Sequence, residues 1–292
     1  MNRKLTDILV GRPHLDELPE SAKRAYYITS NSNVPIQNLE EIAQYIWNRI
    51  DKVNVVSIFT GFYSKYGYET DGPVGSLILA DFFAKANISV QICCETDLLD
   101  IMRPIASELS LSKLISFTKF ENFFYKKNSI LITIERPGEN SRGICHSMNG
   151  KKINHSILPI ELEIQKNPPN AWISIGDGGN ELGTGYYRTA VEKVIRYGKQ
   201  CKCGCGGGIA AYKKADRCIL STTSNFGAVS LSLELAKQNN IEWKVSTIKV
   251  TKIIESLNKL GIKDGVTEKA GTVDGISVDL RNKMYDLLKF SF

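Results

Sequence analysis

Short apolar runs rich in β-branched residues alternate along this chain with longer stretches of helical period. Val53 to Phe59 predicts a strand, followed by a helix over Gly75 to Ala86. Ile88 to Cys94 predicts a second strand, followed by a helix over Asp97 to Leu109. A third strand, Ser129 to Ile134, runs into "ERPGEN". Trp172 to Ile175 leads into "GDGGNELGTG" and a helix over Tyr186 to Lys199, and Asp216 to Ser221 leads into "TTSNFGA" and a helix through Lys237. Strands separated by helices of this length favour a parallel sheet covered on both faces. The expected fold class is α/β: a layered, mostly parallel sheet with helices on both faces.

Right-handed crossovers place the strand-to-helix loops on one edge of such a sheet, which is where ligands bind. The loops expected there are "TGFYSKYGYETDGPVG", "ERPGEN", "GDGGNELGTG" and "TTSNFGA". All are rich in glycine and small polar or acidic residues. Turns are often polar for structural reasons alone, but the convergence of these loops favours a site.

Composition narrows the function classes. The 292 residues carry 37 basic and 31 acidic side chains, a net charge of +6. The excess is scattered in short clusters such as Lys151-Lys152 and Lys213-Lys214, without the dense stripe and interleaved aromatics of a nucleic-acid surface. No apolar run is long enough to span a bilayer, so no membrane partner is expected. The first residues lack a signal peptide's apolar core, and their acidic residues argue against a transit peptide. Seven cysteines do not suggest a disulfide framework, and a cytoplasmic location is expected. Only three histidines are present, His14, His146 and His155, which thins the case for histidine-built sites.

The stretch Gly176 to Gly185 fits no nucleotide loop. Glu181 stands where G-x-G-x-x-G needs its last glycine, and Thr184 where a P-loop needs lysine, so no nucleotide cofactor is expected. Its glycines free backbone N–H groups to form a nest for a carboxylate or phosphate. Asp177 and Glu181 would repel that anion unless a metal or a substrate ammonium lies between them. An amino-acid substrate satisfies both demands, and so does a metal-bound anion. The competing reading is a helix start capped by Asp177 or Asn180.

Other loops carry similar alternatives. Glu69, Thr70 and Asp71 precede Pro73, which suits a first helical turn. Arg136 can hold a carboxylate bidentately, or sit in an exposed Pro137-Gly138 turn. Ser224 and Asn225 can cap a helix or face a ligand. Asp-Gly recurs at Asp264 and Asp274, as surface turns or as a fifth contributor to the site. "CKCGCGGG", from Cys201 to Gly208, offers the thiolates of Cys201, Cys203 and Cys205, with Cys218 a candidate fourth ligand for zinc. Its spacing is not the usual paired C-x-x-C, and an exposed glycine-rich loop is the competing reading. Cys93-Cys94 reads as core, and Cys145-His146 lacks a third partner for nucleophilic catalysis.

Taken together, "ETDGPVG", "ERPG", "GDGGNELGTG", "TSNFGA" and the late "VDG" occur in the order seen in the D-glutamate cyclase family, which the chain resembles from about Thr60 to Gly275. It departs from that pattern at Val74, Thr184 and Phe226 and in the "CKCGCGGG" segment; these departures bear on substrate preference more than on fold. The resemblance implies a single D-glutamate cyclase-like domain over residues 1–292. It also implies a lyase that interconverts D-glutamate and 5-oxo-D-proline plus water. Such chemistry needs a base for the α-amine, an acid or divalent metal to let oxygen leave as water, donors for the oxyanion, and an anchor for the α-carboxylate. On that reading Asp177, Glu181 and Asp71 are catalytic, and Asp71, Glu135, Asp177 and Glu181 ligate a metal. Arg136, Gly178, Gly179, Asn180, Ser224 and Asn225 bind substrate. An all-oxygen donor set suits Mn²⁺ or Mg²⁺ better than zinc. The alternatives are a Mn²⁺- or Mg²⁺-dependent phosphatase-like hydrolase and a non-catalytic binding module for amino acids or small anions. A homo-oligomer is compatible with all three.

Overall fold

The apolar runs become the strands of one sheet. The computed structural model describes residues 3–64, 67–120, 128–154, 160–289 and 291. The chain opens with α1 (Arg3–Leu9), α2 (Arg24–Ser30) and α3 (Leu39–Ile50), and then enters the sheet at β1 (Val55–Thr60). A small hairpin, β2 (Tyr63–Ser64) and β3 (Gly67–Tyr68), precedes α4 (Asp71–Lys85). Next come β4 (Val90–Cys94), α5 (Thr96–Glu108), β5 (Ile115–Lys119), β6 (Ser129–Ile134), α6 (Glu161–Lys166) and β7 (Ala171–Gly176). The chain continues through α7 (Arg188–Val194), β8 (Arg217–Leu220), α8 (Ser224–Gln238), α9 (Thr247–Lys259) and α10 (Val278–Lys289).

The six-stranded sheet has the order β5-β4-β1-β6-β7-β8, and every neighbouring pair is parallel. From β1 the chain winds one way to β4 and β5, then crosses back to β6, β7 and β8. The order therefore reverses between β1 and β6, where Ile58 pairs with Ile132. A crevice opens at such a reversal, outside the carboxyl ends of the two strands.

The two faces of the sheet differ. Val56, Ile58, Ile132 and Ile173 enter the largest core cluster with Leu77 and Phe82 of α4, Val229 and Leu231 of α8, and Ile253 of α9. On the other face Phe59, Leu131 and Trp172 are interleaved with the buried polar residues Ser57, Thr133 and Ser174. The hydroxyls of Thr133 and Ser174 both donate to the Leu182 carbonyl, at 3.1 and 2.6 Å. That pins the loop after β7 across the second face. Toward the β8 edge, α2 and α7 pack through Ile28, Ala190 and Val191 against Cys218 and Leu220. The α/β layering is as the sequence predicts.

Boundaries shift in two instructive places. Helix α4 begins at Asp71 rather than Gly75, because Pro73 falls in the first turn, where a missing N–H is harmless. The predicted Tyr186–Lys199 helix is only a 3₁₀ turn and α7, ending at Val194. Beyond it Ile195 is extended and Gly198 folds back onto Val191, where a Cβ would lie 2.1 Å from the Val191 carbonyl oxygen. Among the described residues no helix is long and apolar enough to cross a membrane. His155, Lys65 and Tyr66 lie outside the described residues.

Candidate active site

Carboxylates from separate loops meet at the carboxyl edge of the sheet. Asp71 comes from the first turn of α4, Glu135 from the residue after β6, Asp177 from the residue after β7, and Asp274 from the turn before α10. Ligand oxygens of Asp71, Asp177 and Asp274 lie within 4.8 Å of one another, as do those of Glu135, Asp177 and Glu181, and those of Glu69, Asp71 and Glu135. The structure thus brings Asp71, Glu135, Asp177 and Glu181 together, and adds Glu69 and Asp274. Glu135 and Asp274 both adopt left-handed backbone, φ 45° and 50°. That conformation is uncommon for a residue with a side chain, and here it belongs to two carboxylates of the centre. The Ser224 hydroxyl, at the start of α8, donates to Glu135.

Among the described residues, Arg24 is a cation that faces this group. Its Nη1 donates to Asp177 Oδ1 at 3.3 Å, and its Nη2 lies 3.6 Å from Asp274 Oδ1. Burial alone would lower the guanidinium pKa, but Asp177 and Asp274 outweigh it and raise it. Ser21 donates to the Asp274 carbonyl at 2.6 Å and accepts from Arg24 Nε, tying the two segments together. Nothing in the sequence around Arg24 marks it as a site residue.

One guanidinium does not balance so many acids. Burial pushes Asp71, Glu135 and Asp177 well above the usual carboxylate range, and their neighbours push them further. Asp274 and Glu69 act on Asp71, Asp71 and Glu181 on Glu135, and Asp274 and Glu135 on Asp177. Such a centre takes up protons or a cation. The residues fit a hard divalent ion. Asp71 Oδ2 and Asp274 Oδ2 are buried with no hydrogen-bond partner among the described residues, and the donor set is all oxygen.

Several groups expected to contact substrate already have partners within the chain. The amides of Gly178 and Gly179 donate to the Glu181 carboxylate at 2.7 and 2.8 Å, with Asp177 N–H at 3.2 Å. The glycine nest is real, but its anion is a side chain of its own loop. Arg136 is fully buried and not in an exposed turn. It forms two 2.8 Å bonds with Glu95 and donates to the Thr60 carbonyl at 3.2 Å. Asn180 Nδ2 donates to the His146 carbonyl at 2.9 Å, and Asn225 Nδ2 to Tyr285 Oη at 3.1 Å. These amides brace loops. The "ERPG" and "GDGGNELG" loops are zipped together, with Gly138 N–H donating to Asn180 O at 2.9 Å and Leu182 N–H to Arg136 O at 2.7 Å.

Of the two Asp-Gly turns, Asp274 joins the centre, whereas Asp264 accepts the amides of Val266 and Gly275 at 2.7 and 2.8 Å. Cys145 packs with Phe62 and Ile153, and burial pushes its thiol pKa up, so it is not a poised nucleophile.

A cavity of about 980 Å³ opens onto this group. The buried Glu135 and Asp274 line it, together with Arg24 and Glu69. At its rim stand the exposed Lys151, Lys152, Arg196 and Lys202. Acidic depth and basic rim suit a ligand bearing one cationic and more than one anionic group.

Residues 24–289 match the family model described as D-glutamate cyclase-like, C-terminal. The mitochondrial D-glutamate cyclase of Homo sapiens is 26% identical over 207 residues, 62% of this chain and 32% of that protein. The chain therefore spans about a third of the length of this relative. Among solved structures, the exonuclease RecJ bound to manganese is 12% identical with a TM-score of 0.35, covering 77% of this chain and 43% of that one. The C-terminal domain of glucosamine-fructose-6-phosphate aminotransferase from Francisella tularensis is 10% identical with a TM-score of 0.29, covering 84% of this chain and 55% of that one.

Proposed function

We propose that this chain, which belongs to the D-glutamate cyclase-like family, is a lyase that interconverts D-glutamate and 5-oxo-D-proline plus water. The observation that carries the reading is the buried carboxylate group opening into a cavity with a basic rim. Glutamate brings an ammonium for the acidic depth and two carboxylates for Lys151, Lys152 and Lys202.

Ring closure forms a bond between the α-nitrogen and the γ-carboxyl carbon and breaks a carbon–oxygen bond. The nitrogen gives up two protons and the departing oxygen takes two, leaving as water. A carboxyl group with a raised pKa can both accept a proton from the nitrogen and return one to the oxygen. The position of Glu135 in the cavity lining and its pKa, raised by burial, support it in this role. Asp71, Asp177 and Asp274 would hold Mn²⁺ or Mg²⁺, which supplies Lewis-acid polarisation of a carboxyl oxygen when bound. The Ser224 hydroxyl keeps Glu135 oriented.

The test is incubation with D-glutamate, and separately with 5-oxo-D-proline, with and without Mn²⁺, read by chiral chromatography. Conversion of the D-forms is expected. No conversion in either direction by folded protein overturns the reading, and phosphate release from an ester in its place would assign the site to hydrolysis.

A further inference from the structure

Away from the carboxylates, His146, Cys201, Cys203 and Cys205 bring one nitrogen and three sulfurs within 4.8 Å of one another. His146 Nε2 lies 3.1 Å from Cys203 Sγ and 3.9 Å from Cys205 Sγ. Cys201 Sγ lies 3.2 Å from Cys203 Sγ and 3.3 Å from Cys205 Sγ. Around a tetrahedral zinc, with bonds of about 2.3 Å to sulfur and about 2.0 Å to nitrogen, neighbouring donors stand roughly 3.5–3.8 Å apart. The four donors already hold nearly that spacing, and the cysteines are free thiols.

The surroundings are those of a ligand set. His146 Nδ1 is 3.1 Å from the Ile144 carbonyl, which fixes the proton on Nδ1 and turns the bare Nε2 to the sulfurs. Asn140 Nδ2 and the Gly207 amide point donors at Cys205 Sγ, at 3.4 and 3.5 Å. Gly204 and Gly206, at φ 77° and 76°, supply the left-handed turns that let cysteines two residues apart converge. Cys218, the fourth ligand suggested by the sequence, is instead packed in β8.

We infer that His146, Cys201, Cys203 and Cys205 bind one Zn²⁺ in a closed structural site. Four protein ligands leave no open position, so the ion is a brace and not a reaction centre. It fastens two segments that carry the cavity's basic rim. Lys202, between two of the ligands, donates its N–H to Gly150 O at 2.9 Å, and Ser147 N–H donates to Lys151 O at 3.0 Å. The His146 carbonyl, through Asn180, also joins the brace to the glycine-rich loop. This site stands independently of the proposed activity.

Elemental analysis of the purified wild-type protein tests it. About one zinc per chain is expected, falling at least tenfold in the double variant Cys203→Ser, Cys205→Ser, while His146→Cys, which exchanges one ligand for another and keeps four, retains the metal. Cobalt exchanged into the wild-type protein should show the visible absorption of tetrahedral thiolate coordination, a readout that holds even if the double variant fails to fold. Folded wild-type protein without zinc overturns the inference. So do full zinc retention in a folded double variant and a cobalt spectrum without thiolate character.

Discussion

Arg24 Nη1 stands 3.3 Å from Asp177 Oδ1, joining the start of α2 to the loop after β7 across 153 residues of sequence. With Asp274 on its other terminal nitrogen, this guanidinium is set against the buried carboxylates. Asp177 is buried and Arg24 largely so, and removing one partner leaves charge uncompensated. Arg24→Gln is expected to cost about 3 kcal/mol of stability in the presence of chelator. Mn²⁺ should recover part of that loss by supplying the missing positive charge. Chemical denaturation with and without the ion reads both numbers. Unchanged stability in Arg24→Gln would contradict the pairing.

Glu181 fills the nest of its own loop, accepting amides from Asp177, Gly178 and Gly179. Glu181→Ala is expected to destabilise by about 3 kcal/mol, because three buried N–H groups lose a charged acceptor. Glu181→Gln should lose less, since the amide oxygen still accepts. If the nest instead served the substrate, Glu181→Ala would change KM with little effect on unfolding.

Arg136 and Glu95 make a second buried pair, through two parallel bonds. Arg136→Lys cannot reproduce the fork and is expected to lose about 2 kcal/mol of stability. Combined with Glu95→Gln, its cost should fall short of the sum of the two single costs, which a double-mutant cycle measures. A rise in KM without a loss of stability would return Arg136 to the role of substrate anchor.

The carboxylate centre predicts a pH dependence. Asp71, Glu135 and Asp177 hold protons more tightly in the folded chain than in the unfolded chain. Below about pH 4 both states are protonated and the stability contribution is complete. As pH rises toward the raised folded values, the folded state holds more protons than the unfolded state, and stability falls. In metal-free protein the Tm of Asp177→Asn, relative to wild type, should therefore climb as pH rises above the ordinary carboxylate range of about 4. Added Mn²⁺ should raise the wild-type Tm more at the higher pH. A Tm difference independent of pH would contradict the raised value of Asp177.

Much of the scaffold was legible because burial on both faces writes a continuous apolar run. Ser129–Ile134 is buried at every position and appears as a strand at the predicted bounds. β5 has exposed positions at Ser116 and Lys119, so its residues form no continuous apolar run that marks a strand. The acidic site was legible because parallel connections deliver Asp71, Glu135 and Asp177 to one edge. Arg24 was not, because its helix carries no ligand motif and only the tertiary fold sets it beside Asp177. The same holds for His146, which meets Cys203 from 57 residues away. The glycine loop was half legible. Its nest and its acid were both visible, but only the structure shows that one occupies the other.

Water exchange between a lactam and an amino acid at the Glu135 centre leaves an isotopic record. 5-oxo-D-proline incubated with the protein and Mn²⁺ in ¹⁸O-enriched water should yield D-glutamate carrying one ¹⁸O in its γ-carboxylate. Glu135→Gln should slow that labelling at least ~100-fold, as expected for loss of a general acid–base group. The absence of labelled D-glutamate from folded wild-type protein, or an equal rate in Glu135→Gln, would contradict the claim.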